Sequence, residues 1–326
     1  MKVMSKFGFV TGGHQACMFL AQATLASIRH FCPGVPIALL VDGDFDVTHL
    51  VEQYGVIPLR VHDLPSREMR NLVGQSFHAK HVPMWEGPFE NYVWVDADAI
   101  VWGDITSQVN RDVDFHIFRS ERDAVVPRNS NQVPPWMAHF YFDPEKIKAL
   151  DAEFCWKETK YFCPGVFAAR RGAIPFEEYA KVLAWEKAHP GTFAWGDMGI
   201  INYLVHSRAQ RGQLKIAFSD LQDMWVHNGK EELVSDCLGA GWHFPNAINR
   251  PRVAHFCGRK PHLYDIKSYS RPFTIARLEH YRPLKGSLGA WAAILFEEWQ
   301  DLSQKIKKKF EKKFLHAMQK MRRFFT

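Results

Sequence analysis

Residues 92–102 read Tyr-Val-Trp-Val-Asp-Ala-Asp-Ala-Ile-Val-Trp, an apolar run typical of a buried strand that is interrupted by two carboxylates. Because side chains alternate along an extended chain, Asp96 and Asp98 leave the same face together. Two carboxylates at the end of a buried strand repel each other and lose solvation unless a cation compensates them. The pattern therefore predicts a divalent metal site, and hard oxygen ligands favour Mg²⁺ or Mn²⁺.

Three other Asp-x-Asp pairs occur, at residues 42–44, 44–46 and 112–114. They lie in polar, turn-like sequence, and we interpret them as solvated loop carboxylates. Only Asp96 and Asp98 are flanked by apolar strand on both sides, which is why we place the metal there.

Composition bounds the class of protein. The chain has 326 residues, of which 47% are hydrophobic and 23% charged, enough for a sizeable core. It contains neither an apolar run of roughly 18 residues nor a secretory signal, so we expect a cytoplasmic protein. The six cysteines form no C-x-x-C pair, which favours reduced thiols and makes zinc an unfavoured metal.

Strand and helix signals alternate along the first hundred residues: strand at 7–10, helix at 15–31, strand at 37–41 and a weaker helix at 47–54. This alternation predicts an α/β fold with a mostly parallel sheet flanked by helices. Ligands of such sheets bind at the carboxyl ends of the strands, where Thr11-Gly12-Gly13 and Asp96-Ala97-Asp98 both lie. We expect the two segments to meet across one cleft.

The later chain is less regular. Residues 121–164 are rich in Pro, Asn, Trp and His, which predicts inserted loops near the cleft. A strand at 166–169 and helices at 175–188 and from Asp197 follow. We divide the chain into a catalytic unit, residues 1–264, and a C-terminal helical extension, residues 265–326.

Four segments together resemble the GT-A glycosyltransferases, most closely the retaining family 8 type of the bacterial lipopolysaccharide galactosyl- and glucosyltransferases and glycogenin. They are Phe7-Gly8-Phe9-Val10-Thr11, Asp96-Ala97-Asp98, Trp195-Gly196-Asp197-Met198-Gly199-Ile200-Ile201-Asn202 and Val253-Ala254-His255-Phe256-Cys257-Gly258-Arg259-Lys260-Pro261. The chain departs from the family pattern in having Thr11-Gly12-Gly13-His14 instead of an acidic first turn. It also has Pro164 before Gly165, Met198 after Asp197 and a final motif that is one residue short.

The resemblance implies a Rossmann-like GT-A fold and a set of site residues. Thr11 and Gly12 would form the nucleotide-binding turn. Asp96, Asp98 and His255 would hold Mn²⁺ or Mg²⁺, with Asp96 also near the ribose. Gly258 and Lys260, with Arg259 as a further candidate, would bind diphosphate. Lys80 resembles a basic residue that precedes the metal motif in these enzymes, and Asp197 would face the donor sugar.

Each of these residues also has a structural interpretation. His255 could also be a strand histidine bonded to a backbone partner, although Gly258 and Lys260 after it favour a metal ligand, and Lys80 is equally typical of a solvated helix lysine. Asp197 immediately precedes a helical pattern, where its side chain would cap the first amides.

The C-terminal residues form a distinct pattern. Apolar residues recur every three or four positions, at 295, 299, 302, 306, 310, 314, 318, 321 and 325, as on one face of a helix. Residues 305–326 contain nine Lys or Arg and one Glu, a charge of +8, against −2 for the rest of the chain. The pattern predicts a helix on an anionic membrane surface; a helix packed on the protein body is the alternative. A nucleic-acid partner is not expected, because the body carries no basic surface signal.

These observations together predict a metal-dependent glycosyltransferase, a hexosyltransferase that uses a nucleotide-diphosphate sugar. UDP-hexose is the favoured donor, the acceptor is a lipid-linked or cell-surface glycan, and retention of configuration is implied by the resemblance. The expected location is cytoplasmic, peripheral on the inner face of the cell membrane. A nucleotidyltransferase and a nucleotide-sugar-binding scaffold without catalysis remain as alternatives.

Overall fold

The computed structural model describes residues 5–74, 76–119, 125–130, 132–194, 196–224, 241–246, 248, 250–258, 260–263 and 267–322. The strands are β1 (Ser5–His14), β2 (Ile37–Asp42), β3 (Ile57–Arg60), β4 (Phe89–Val95), β5 (Ala99–Trp102), β6 (Phe115–Arg119), β7 (Val166–Arg170), β8 (Ile216–Asp220), β9 (Gln222–Met224) and β10 (Arg252–His255). The helices are α1 (Met18–Phe31), α2 (Thr48–Tyr54), α3 (Arg67–Val73), α4 (Pro83–Glu86), α5 (Pro135–Phe140), α6 (Pro144–Leu150), α7 (Phe176–Ala188), α8 (Met198–Gln210) and α9 (Lys267–Arg322).

The main sheet has seven strands in the order β3-β2-β1-β4-β7-β6-β8. Strands β3, β2, β1 and β4 run parallel, β7 is antiparallel to both of its neighbours, and β8 is parallel to β6. A smaller sheet has the order β5-β10-β9. The predicted α/β architecture, with a mostly parallel sheet and flanking helices, is therefore confirmed.

The apolar runs become strands because the sheet is covered on both faces. Phe9, Leu39 and Val93, on three neighbouring strands, are fully buried in one apolar cluster together with α1. Val10, Leu40 and Trp94 point to the other face and pack in a second cluster with residues of α7 and α8. Strands buried on both faces need continuous rather than alternating apolar sequence, which is what residues 92–95 show.

The interpretation of the other Asp-x-Asp pairs as solvated is wrong at two positions. Asp42 ends the fully buried strand β2 and is itself only 6% exposed. Asp114 is half-buried, and its Oδ1 pairs with Arg170 Nη2 at 2.6 Å. Turn-like sequence did not predict exposure here because a turn that follows a core strand starts inside the protein. Asp44, Asp46 and Asp112 are exposed, as expected.

The region of residues 121–164, expected to form loops, contains the two short helices α5 and α6. Pro135 and Pro144 each occupy a first helical position, where the missing amide costs nothing. None of its described residues lines the cleft described below.

Helix α9 fills the C-terminal extension, and Gly286 interrupts it with φ 66° and ψ 177°. Before the break lies Arg277, only 3% exposed; after it lie Glu297 and Glu298. The Arg277 guanidinium pairs with both, with Nη2 2.7 Å from Glu297 Oε2 and Nη1 2.5 Å from Glu298 Oε1. These ion pairs join the two segments of α9. Among the described residues, no helix has the length and apolarity that crossing a bilayer requires.

Candidate functional site

A cleft of about 360 Å³ opens at the carboxyl ends of β1, β2 and β4. Gly12 and Gly13 line it from the end of β1, Asp96 and Asp98 from the end of β4, and Lys260 from the segment after β10. The expected meeting of the glycine turn and the two carboxylates across one cleft is thus confirmed.

Backbone contacts hold both segments in place. Gly12 has φ 131°, and a β-carbon there would lie 2.2 Å from the Leu40 carbonyl oxygen, so only glycine fits beside β2. The amide of Asp96 donates to the carbonyl of Gly165 at 2.8 Å. The Thr24 hydroxyl on α1 donates to the Ala97 carbonyl at 2.7 Å. The Asp-Ala-Asp segment is therefore fixed from two sides.

Three side chains converge at the β4 end of the cleft. Asp96, Asp98 and His255 each contribute one ligand atom, and these atoms all lie within 4.8 Å of one another. His255 Nε2 is 3.6 Å from Asp96 Oδ2 and 3.5 Å from Asp98 Oδ1. The antiparallel pairing of β10 with β5 places His255 opposite Ala99 and so beside Asp98.

Gln222 orients the imidazole. His255 Nδ1 lies 3.0 Å from Gln222 Oε1, and Gln222 Nε2 donates to the carbonyls of Phe118 and Cys163 at 3.2 and 3.1 Å. Because the amide nitrogen is engaged, Oε1 faces His255 as an acceptor, and Nδ1 carries the proton. Nε2 therefore faces the two carboxylates and is the nitrogen that would ligate a metal, in exchange for the proton that the carboxylates favour there.

The charges of the cluster fit a divalent cation. Burial raises the pKa of Asp96, although Lys80 opposes that shift. Burial would also raise the pKa of Asp98, but His255 and Lys260 outweigh it and hold that pKa well below its usual value. Burial disfavours charge on His255, yet Cys163 and Asp98 reverse this and raise its pKa well above the usual value. The carboxylates thus attract positive charge strongly, and two carboxylates with one imidazole suit Mn²⁺ or Mg²⁺.

Asp197 is buried and does not line the cleft, and two side chains bind its carboxylate. Its Oδ2 is 3.2 Å from Lys80 Nζ and 3.1 Å from His81 Nε2. Burial opposes ionisation of Asp197, but Lys80 and His81 reverse this and hold its pKa well below the usual value. Asp197 precedes α8, yet its side chain makes no capping hydrogen bond. The capping interpretation is therefore wrong for the side chain.

Lys80 connects the two groups of carboxylates. It lies on the 3₁₀ turn Phe77–His81, is 12% exposed at the side chain, and its Nζ is 3.4 Å from Asp96 Oδ1. Burial disfavours its charge, but Asp197 and Asp96 outweigh burial and raise its pKa. Lys80 is accordingly not a solvated helix lysine, and it lines the cleft beside Asp96.

Of the remaining predicted site residues that the structure describes, Lys260 and Gly12 line the cleft, whereas Thr11 and Gly258 do not. Lys260 Nζ contacts Asp98 Oδ2 and donates to the Phe256 carbonyl at 3.0 Å. Thr11 is fully buried, so a ligand in the cleft meets Gly12 and Gly13 instead. Gly258 is exposed and is not part of the cleft wall. Arg259 lies outside the described residues.

Sequence reasoning missed three side chains that support the site. Gln222 orients His255, His81 binds Asp197, and Trp94 Nε1 donates to Asp96 Oδ1 at 2.6 Å. Trp94 could have been found, because it lies two residues before Asp96 at the end of the predicted strand. Gln222 carries no such local signal.

Comparison with solved structures identifies the class of fold. The galactosyltransferase LgtC in complex with donor and acceptor sugar analogues superposes with a TM-score of 0.51 and 13% sequence identity, over 84% of this chain and 95% of that one. An active-site mutant of LgtC gives a TM-score of 0.52 and 14% identity over the same shares. No protein-family model and no curated protein sequence matches the chain.

The chain therefore has the GT-A fold of glycosyltransferases, similar to that of the family 8 type, as the sequence motifs indicated. At this level of sequence identity the structural similarity establishes the fold alone.

Proposed function

We propose that this protein is a metal-dependent hexosyltransferase that moves a hexose from a nucleoside diphosphate sugar, with UDP-hexose favoured, to a glycan or glycolipid acceptor. The observation that carries the proposal is the convergence of Asp96, Asp98 and His255 at the strand ends of a GT-A fold, with Lys260 beside them in the same cleft. A cluster of this kind serves to hold a diphosphate.

Asp96, Asp98 and His255 would hold Mn²⁺ or Mg²⁺. When bound, the metal supplies Lewis-acid stabilisation of the negative charge on the departing nucleoside diphosphate. Lys260 would contribute a second positive charge: its ammonium lies beside Asp98 and would be available to donate to a phosphate oxygen if a metal ion neutralised Asp98. Lys80, in the cleft wall, adds a third.

Asp197 serves the sugar end of the donor. Its ionised carboxylate would accept hydrogen bonds from sugar hydroxyls or stabilise an oxocarbenium-like transition state. Lys80 and His81 hold the carboxylate in one orientation and keep it charged. Retention of the anomeric configuration of the donor sugar forms part of this proposal, and the anomeric configuration of the product tests it.

The test is release of UDP or GDP from a panel of nucleotide sugars, before and after chelation and readdition of Mn²⁺. We expect turnover only with metal, and a loss of at least about 100-fold in Asp98→Asn with unchanged circular dichroism. Asp112→Asn, at the exposed carboxylate of another Asp-x-Asp pair, is the matched control and retains activity. Near-normal turnover of Asp98→Asn would refute the metal role.

The release assay and a pyrophosphate assay separate this function from the two alternatives, a binding scaffold and a nucleotidyltransferase. A scaffold binds the nucleotide sugar with metal and releases no nucleoside diphosphate. A nucleotidyltransferase forms pyrophosphate from a nucleoside triphosphate and a sugar phosphate, which a pyrophosphate assay detects.

We further propose that the C-terminal segment of α9 attaches the enzyme to the inner face of the cell membrane. Leu295, Trp299 and Leu302 of the predicted apolar stripe are 59%, 62% and 51% exposed, so this part of the stripe is not packed on the protein body. Residues 305–326 carry a charge of +8, and each basic residue near an anionic surface contributes about 1 kcal/mol. An exposed apolar stripe beside dense positive charge is typical of a helix that lies in the headgroup region.

A truncation after Leu302 tests the attachment. This end point keeps Glu297, Glu298 and Asp301, which pair with Arg277 and His262, and so preserves the joint between the two segments of α9. We expect full-length protein to co-sediment with anionic vesicles, and the truncated form to lose most binding while retaining donor hydrolysis. Binding should weaken in 1 M salt, where the Debye length falls to about 3 Å. Equal sedimentation of both forms would refute the membrane role.

A further inference from the structure

His262 connects the segment that carries Lys260 to the second segment of α9, residues 287–322. Its Nδ1 lies 2.6 Å from Glu298 Oε2, and its Nε2 lies 3.6 Å from Asp301 Oδ2. A carboxylate only accepts hydrogen bonds, so Nδ1 carries a proton and donates it to Glu298. The imidazole is 6% exposed. Two carboxylates of α9 therefore hold a buried ring that belongs to the chain beside the cleft.

Leu263 adds an apolar contact next to this ring. It packs against the buried cluster of Leu278, Ala290 and Ile294, and the last two belong to the second segment of α9. Two successive side chains after Pro261 thus contact the same helix segment, one through hydrogen bonds and one through apolar surface.

Only one residue separates His262 from Lys260. That residue, Pro261, is buried, and its ring fixes φ at about −65°, so the backbone between the two side chains has little freedom. Lys260 Nζ contacts Asp98 Oδ2 and donates to the Phe256 carbonyl at 3.0 Å. Anchoring His262 therefore anchors the point from which the Lys260 ammonium reaches the cleft.

We infer that His262 is a positioning residue for diphosphate binding: held by α9, it fixes Lys260 where the ammonium can reach a phosphate oxygen. The inference rests on the proposed diphosphate site, and it gives α9 a second role besides membrane attachment. A long lysine side chain loses rotamer freedom when it binds, and a fixed backbone reduces what remains to be ordered. Without His262, the chain that carries Lys260 must be ordered at the time of binding, which weakens the complex.

The helix turn that holds His262 also presents the exposed apolar stripe. Trp299 and Leu302 directly follow Glu298 and Asp301 in the sequence and are 62% and 51% exposed. Successive residues of a helix point about 100° apart, so the carboxylates face the protein body while the stripe faces away from it. One turn of α9 thus supports the diphosphate site on one face and carries the proposed attachment on another.

The experiment measures binding of inorganic pyrophosphate with Mn²⁺ present, and of Mn²⁺ alone, by calorimetry on the full-length protein. His262→Ala should weaken pyrophosphate binding by about 3- to 10-fold, less than Lys260→Ala does, because the ammonium is retained but no longer held. Mn²⁺ affinity should stay within about twofold, since no metal ligand changes. His262→Asn should restore pyrophosphate affinity to within about twofold, because its amide N–H donates to Glu298 as Nδ1 does.

Variants on both sides of the contact locate the effect. In a Lys260→Ala background, His262→Ala should cause no further loss of pyrophosphate affinity, since both changes act through one ammonium. Glu298→Ala should reproduce the loss from the helix side, and it carries the test if His262→Ala does not fold. His243→Ala is the matched control: its imidazole lies 3.1 Å from Glu279, on the first segment of α9, and its removal should leave pyrophosphate affinity unchanged.

Unchanged pyrophosphate affinity in folded His262→Ala and Glu298→Ala proteins, or an equal further loss in the Lys260→Ala background, would overturn the inference while leaving the proposed function intact. A parallel fall in Mn²⁺ affinity would overturn it as well, because His262 would then act on the whole site rather than on Lys260. If the unmodified protein does not bind pyrophosphate with Mn²⁺, the inference and the proposed diphosphate site both fail.

Discussion

Gly165→Ala tests the metal cluster without removing a ligand. A β-carbon at residue 165 would lie 2.1 Å from His255 Cε1 and 2.4 Å from its Nδ1, whereas ordinary contact begins at 3.4 Å. The imidazole must therefore retreat by roughly 1.3 Å, which strains its bond to Gln222. Metal–ligand distances tolerate changes of only about 0.2 Å. We expect Mn²⁺ affinity to fall by about 10- to 100-fold, as when the support of a ligating histidine is lost.

The measurement is a Mn²⁺ binding isotherm without nucleotide, alongside a thermal melt. Gly34→Ala is the matched control, because a β-carbon there meets nothing within 4 Å. In a His255→Ala background, Gly165→Ala should have no further effect on metal affinity, since both changes act through the same ring. If folded Gly165→Ala protein bound Mn²⁺ as tightly as the unmodified protein does, this account of the cluster would be refuted.

Three further outcomes follow from the same contacts. Lys260→Ala should weaken pyrophosphate binding, measured by calorimetry, while leaving Mn²⁺ affinity unreduced; the reverse pattern would show that Lys260 acts through the metal. Arg277→Met removes the guanidinium from Glu297 and Glu298, which keep the Tyr281 hydroxyl and His262 as partners, and should lower the free energy of unfolding in urea by about 2 kcal/mol; a loss below about 1 kcal/mol contradicts the joint within α9. Burial lowers the pKa of His206 from 6.5 to about 4, so as the pH falls this histidine binds a proton in the unfolded chain before it does so in the folded protein. The contribution of neutral His206 to the free energy of unfolding should therefore be fully present above pH 6.5 and should be lost as the pH falls from 6.5 towards 4. Over that range the urea midpoint of His206→Gln should decline less than that of the unmodified protein.

The membrane and metal proposals draw on different parts of the chain. The sequence predicted an apolar stripe from residue 295, and the described side chains at Leu295, Trp299 and Leu302 are indeed exposed. What the pattern did not indicate is that Glu297, Glu298 and Asp301 of the same helix turn inward to Arg277 and His262. The proposed attachment and the ion pairs of the extension thus use different faces of one helix.

The sequence by itself determined the buried strand that leads into Asp96, the alternation of strands and helices, and the GT-A resemblance. These follow from local periodicity, because burial of a strand on both faces demands a continuous apolar run and a carboxylate pair within it stands out. The expectation that extended chain places Asp96 and Asp98 on one face is wrong: β4 ends at Val95, and a turn closed by the Ala99 amide on the Asp96 carbonyl at 3.0 Å brings the two carboxylates together.

Only the tertiary structure decided which side chains are the hydrogen-bond partners of the site residues. Gln222 meets His255 across 33 residues, and His81 meets Asp197 across 116. Asp42 was assigned to a solvated turn because its neighbours in sequence are polar, whereas in the structure it ends the fully buried strand β2. Hydrogen bonding and burial depend on what surrounds a side chain in three dimensions, and for these residues the sheet order brings those surroundings from distant parts of the chain.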